Sequence, residues 1–92
     1  MDRREWVEQL SGMTGLLCAD GFDDAIIGVT YPSPGRQSVV MYDARKCVQI
    51  LVERDGMSAE EAWEFFEFNT LGAWVGERTP LFMEMPSVEM FA

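Results

Sequence analysis

Two adjoining segments with well-marked ends constrain this chain more than any other feature. Asp43 precedes the run Ala44-Arg45-Lys46-Cys47-Val48-Gln49-Ile50-Leu51-Val52-Glu53, Asp55-Gly56 closes it, and Ser58-Ala59-Glu60-Glu61 opens the next. An aspartate in that place accepts from the amides of a first helical turn, and a glycine adopts the left-handed conformation that ends a helix. The S-x-x-E pattern is a capping box, in which serine and glutamate satisfy each other's backbone amides. Two helices joined by a tight link are therefore predicted. The first carries Ala44, Cys47, Val48, Leu51 and Val52 on one side and Arg45, Lys46, Gln49 and Glu53 on the other. In 92 residues there is room for one domain and not two, so the rest of the chain must pack around this pair.

What surrounds the pair reads as mixed structure. Ile26, Ile27, Val29 and Thr30 predict a strand from Ala25 to Tyr31, and Val39, Val40 and Met41 a second from Ser38 to Tyr42. Pro32-Ser33-Pro34-Gly35 supplies the turn, giving a hairpin with a loop over 32–37. Trp6, Val7 and Leu10 recur at helical spacing in a short helix from Asp2 to about Gly12, whereas Leu16-Leu17-Cys18-Ala19 fits a helix or a buried turn equally. Thr79-Pro80 marks a stop before Leu81-Phe82-Met83, a third strand. The predicted class is α+β: a small antiparallel sheet, hairpin plus short C-terminal strand, packed by two or three helices. Residues 1–92 form a single small acidic domain, with 86–92 a flexible tail. At 48% hydrophobic and 25% charged the composition supports a buried core.

Charge and residue type remove most chemistry. Sixteen acidic side chains against seven basic ones give a formal charge of -9 and a pI near 4.2, the reverse of a phosphate-binding footprint, so direct nucleic-acid binding is not expected. Without histidine there is no Ser-His or Cys-His activation and no His-liganded metal. Cys18 and Cys47 lack CxxC spacing and are expected as reduced thiols. No run approaches the roughly 20 apolar residues that cross a bilayer, and no secretory apolar region follows Met1-Asp2-Arg3-Arg4-Glu5, so a cytoplasmic setting without membrane contact is expected. Asp20, Asp23 and Asp24 beside Gly21 are hard oxygen ligands of the kind calcium or magnesium takes. Their spacing is wrong for an EF-hand, and they are expected to cap a helix or close a turn rather than bind metal or serve a hydrolase. Glu64 and Glu67 would divide acid and base roles only in environments that separate their pKa values, which an exposed face does not provide. No cofactor, no metal and no catalytic activity are expected.

The second helix carries the most specific signal. At about 100° per residue Glu60, Glu61, Glu64 and Glu67 share one arc while Ala62, Phe65 and Phe66 share another, with Asn69 near the middle of the apolar arc and expected to find internal hydrogen-bond partners there. Residues 53–92 hold nine acidic side chains and only Arg54 and Arg78 as basic ones. Like charges at i, i+4 cost a helix a few tenths of a kcal/mol per pair, so helix stability does not call for the stripe. A solvated face is the plain reading. The functional one is a partner-binding surface, Glu60, Glu61, Glu64 and Glu67 supplying the field and Trp63 and Phe68 the contacts, with Trp74 nearby. Leu81, Phe82, Met83, Met85, Met90 and Phe91 crowd the C-terminus, and Met85, Met90 and Phe91 are the candidates for self-association.

Several blocks occur in order: Asp20-Gly21-Phe22-Asp23-Asp24-Ala25-Ile26-Ile27-Gly28, Tyr42-Asp43 with Lys46-Cys47, Arg54-Asp55-Gly56-Met57-Ser58, and Glu60-Glu61-Ala62. They continue through Phe66-Glu67-Phe68-Asn69, Gly72-Ala73-Trp74, Gly76-Glu77 and Thr79-Pro80-Leu81-Phe82. Over residues 20–82 the chain resembles a family of small uncharacterised bacteriophage proteins. The resemblance implies a phage or prophage origin and the host bacterial cytoplasm, and carries over no site residue. The expected function is an acidic interaction protein that inhibits a host nucleic-acid-handling defence complex, of anti-CRISPR or anti-restriction type, by occupying its basic surface. The partner would be a host protein or ribonucleoprotein. The alternative is a phage accessory or assembly protein forming a homodimer through its apolar C-terminal tail.

Overall fold

The computed structural model describes residues 1–10 and 15–86. Helix α1 (Arg3–Glu8) starts at Asp2, whose side chain accepts from Glu5 N at 2.8 Å. A 3-10 turn (Asp23–Ala25) leads into strand β1 (Ile26–Val29), followed by β2 (Val40–Asp43). Then come α2 (Ala44–Asp55), α3 (Ala59–Phe66), a π-helical turn (Glu67–Leu71) and β3 (Leu81–Met83). The fold is α+β. The segment 16–19 is neither helix nor strand.

The helix signals act as their chemistry requires. Asp43 accepts from Lys46 N at 3.2 Å to start α2, and Gly56 ends it at φ 69°, in the left-handed region. Ser58 accepts from Glu61 N at 3.2 Å while Glu61 accepts from Ser58 N at 3.3 Å, closing the capping box of α3.

The sheet corrects the expectation of purely antiparallel pairing. Strand order is β1-β2-β3, with β2 antiparallel to β1 but parallel to β3. Between β2 and β3 the chain runs through both helices, and a crossover of that length returns the next strand in the same direction. The hairpin strands are also shorter than predicted. The ladder ends where Thr30 N donates to Val39 O, because Pro32 has no N–H to extend it, and Pro34-Gly35 forms a tight turn of its own inside a Ser33–Arg36 bridge. A register shift between Ile26 and Gly28 leaves Ile27 out of the ladder.

The core lies between one face of this sheet and the helices. Tyr42, paired with Ile26 on one side and Phe82 on the other, is fully buried and stacks on the Phe82 ring at 5.3 Å. Phe66 of α3 meets Phe82 edge-on, also at 5.3 Å, and Cys47, Val48, Leu51 and Ala62 close around them. The Tyr42 hydroxyl accepts from Ala19 N at 2.6 Å and so ties down the irregular segment before the 3-10 turn. Met41, Leu81 and Met83 fall on the opposite face, where no helix covers them among the described residues.

Burial pushes the Cys47 thiol up to about 12 and raises the Tyr42 hydroxyl as well. Both groups hold their protons more tightly folded than unfolded. Their contribution to stability is intact below about pH 9, where an ordinary thiol titrates, and is lost as pH climbs toward 12. Unfolding midpoints measured in urea should therefore fall across that window, and Cys47→Ala should flatten the thiol's share of the fall. Tyr42→Phe leaves the Ala19 amide without its acceptor and should cost about 1–3 kcal/mol near neutral pH by the same assay.

Candidate functional site

Helix α3 places the predicted carboxylates on one exposed face. Glu60, Glu61, Glu64 and Glu67 are all solvent-exposed, and among the described residues none of them lies within ion-pair distance of an arginine or lysine. The cations are occupied elsewhere. Arg3 donates to Ile26 O at 2.6 Å, Arg78 to Ser38 O at 3.2 Å and Arg54 to Gly21 O at 2.8 Å, each bracing backbone distant in sequence. Arg54 also grips Asp55 and sits over the Phe22 ring, and Arg45 forks onto both oxygens of Glu84. Those two ion pairs hold the Asp55 and Glu84 carboxyls below the usual carboxylate range.

The aspartate cluster has a structural explanation. Arg4 Nη1 lies 3.4 Å from Asp20 Oδ1 and 3.7 Å from Asp23 Oδ1, and the latter oxygen, buried without a hydrogen bond, has that guanidinium as its compensation. Asp23 and Asp24 open the 3-10 turn into β1. Among the described residues no group of three or more His, Cys, Asp or Glu is arranged to hold a metal ion. Cys18 and Cys47 are free thiols.

The aromatic side chains differ from the helical-wheel expectation. The buried face of α3 is Ala62, Trp63 and Phe66, with half-buried Trp63 set edge-on to Phe66 at 6.0 Å, while Phe65 turns outward. Asn69 is not in the core. Its side chain is exposed and its amide nitrogen donates to Phe65 O at 3.1 Å, because the helix widens into the π turn from Glu67 and Gly72 N reaches back to Glu67 O. The wider turn breaks the 100° phase on which the burial of Asn69 depended. Phe68, within that turn, is 85% exposed.

These residues meet in a shallow concavity of about 410 Å³ lined by Met57, Glu61, Glu64, Phe65, Phe68 and Asn69. Thus Glu61, Glu64 and Phe68 of the predicted surface lie together. Trp63 and Glu60 do not line this hollow, nor does Glu67, although all belong to the same helix or its extension. Phe65, Met57 and Asn69 are additions that the straight wheel hid.

A second, larger groove of about 770 Å³ runs between the hairpin loop and residues 71–82, with Tyr31 and Trp74 exposed on its two sides. Arg78, held on Ser38 O, ties those two loops together. Met85 is exposed near the sheet, whereas Met90 and Phe91 lie outside the described residues. Among the described residues no helix is long and apolar enough to cross a membrane.

Comparison with protein-family models, with curated proteins and with solved structures finds no match to this chain.

If the carboxylates of α3 serve a surface function rather than the fold, their neutralisation should leave stability unchanged. Replacing Glu60, Glu61, Glu64 and Glu67 together by glutamine relieves like-charge repulsion, and the side-chain amide oxygen that Glu61→Gln introduces can still accept from Ser58 N to close the capping box. The thermal midpoint is expected to move by less than about 4 °C, as followed by circular dichroism.

Proposed function

We propose that this chain is a non-catalytic binding protein that docks the acidic face of α3 on a basic surface of a nucleic-acid-handling complex and inhibits it by occupancy. The single observation that supports this reading is a row of four exposed carboxylates with no cation in ion-pair reach among the described residues, in a chain whose arginines brace loops and strands instead. Concentrated unpaired charge raises the field over one helix face, steers a cationic partner and sets its orientation. Successive carboxylates at i, i+3 and i+4 recur about every 6 Å, a spacing that a groove built for phosphates can accept. The resemblance to small phage proteins supports placing the partner in a bacterial host, as an anti-CRISPR or anti-restriction inhibitor would require.

A second reading draws on the open side of the sheet. Met41, Leu81 and Met83 face away from the helices, and the C-terminal segment that follows is apolar. Such a face suits self-association, the charge then serving only solubility. Sedimentation before and after removal of residues 86–92 separates the two, since occupancy by α3 requires no dimer.

In pull-downs from a bacterial lysate the wild-type chain is expected to capture a nucleic-acid-handling complex at low salt and to lose it by at least about tenfold near 0.5 M salt, where the screening length is under about 5 Å. The variant with glutamine at positions 60, 61, 64 and 67 is expected to capture none of it. Capture that is equal at low and high salt, or equal by the variant, overturns the electrostatic reading.

A further inference from the structure

The hollow on the acidic face has a composition that selects among cations. Its floor is apolar: the exposed Phe65 and Phe68 rings and the Met57 thioether. Its rim accepts hydrogen bonds. Glu64 is unpaired among the described residues, Glu61 has only Oε1 engaged in the capping box, and the Asn69 nitrogen is turned to Phe65 O, leaving Oδ1 as an unused acceptor. No cationic or hydroxyl side chain lines it. Helical spacing makes this a contiguous patch, since Glu61 stands four residues before Phe65, Glu64 four before Phe68, and the two rings are three apart.

We propose that this hollow is a clamp for a single arginine side chain of the protein partner, whose guanidinium stacks on Phe65 and Phe68 while Glu61 and Glu64 accept its N–H groups. The assignment rests on the docking reading of the same face and names the residue type it would seize. A guanidinium carries five donors and no acceptor, is planar, and is more weakly hydrated than an ammonium, so it matches an acceptor rim over aromatic faces better than lysine does. A cation over an exposed ring gains about 0.5–1 kcal/mol, which is about a twofold to fivefold preference, while charge attraction alone treats arginine and lysine alike. The π turn matters here, for it presents Phe68 almost wholly to solvent beside Glu64. An apolar side chain would leave the two carboxylates desolvated without a donor, and an anion would be repelled.

The test uses the full chain and two ten-residue peptides, one alternating Gly and Arg, the other Gly and Lys, titrated at low salt by calorimetry, with amide chemical shifts recorded in parallel. The arginine peptide is expected to bind about twofold to fivefold more tightly, with the largest shifts at residues 57–69. Phe68→Leu, which keeps an apolar side chain but removes the ring, should bring the arginine peptide down to the lysine value and leave the lysine peptide unchanged. Equal affinities in the wild type, no effect of Phe68→Leu, or largest shifts outside 57–69 would overturn the clamp. If the clamp fails but the variant with glutamine at positions 60, 61, 64 and 67 loses both peptides, the acidic docking surface stands without it. If that variant binds both peptides as the wild type does, both readings fall.

Discussion

The seat of Phe66 decides what the rest of this surface can be. Its ring is fully buried, edge-on to Phe82, which is stacked in turn on Tyr42 of the central strand. Burying such a side chain is worth about 1.5–3 kcal/mol, whereas the like-charge pairs of the same helix cost a few tenths each. Burial wins, and once Phe66 and Ala62 point inward the helical repeat leaves no position for Glu60, Glu61, Glu64 and Glu67 except outward. The acidic face is thus a consequence of the aromatic stack beneath it, and the parallel pairing of β3 with β2 is what brings Phe82 to that stack.

Electrostatics completes what packing begins. With seven cations to sixteen anions, the chain could have spread its arginines over its acidic surface. Instead Arg3, Arg54 and Arg78 reach backbone carbonyls and Arg4 and Arg45 meet aspartates and a glutamate far from α3. Irregular segments such as 15–22 and 72–80 have few ladder bonds of their own, and arginines reaching across to other elements support them. The cost is a helix face left without compensating charge, which is tolerable in water and well suited to a cationic partner.

Local chemistry made much of this fold legible. The aspartate before Ala44, the glycine at 56 and the capping box at Ser58 are satisfied by neighbours within a few residues, so their signals survive any tertiary arrangement. Leu81–Met83 could be read as a strand because Thr79-Pro80 isolates it, but its direction depends on the path of two helices and was not written in the strand itself. The exchange of Trp63 and Phe65 between inner and outer faces has a similar origin: both are large and apolar, and only the position of Phe82 chooses between them. Asn69 was misplaced by extending a 3.6-residue repeat through a π turn, whose one spare residue shifts everything after Glu67. The tie between Arg4 and the aspartates spans sixteen residues and more, beyond what spacing along a chain reveals.

The most direct test is carboxylate footprinting: carbodiimide-driven amidation read by mass spectrometry, in the free chain and in the presence of a saturating arginine-rich peptide. Glu60, Glu61, Glu64 and Glu67 should label readily when free and be shielded when bound, while Asp20 and Glu84 keep the same labelling in both. Resistance of the α3 glutamates in the free chain, or protection that falls on other carboxylates instead, would contradict an exposed acidic face as the place where a basic partner docks.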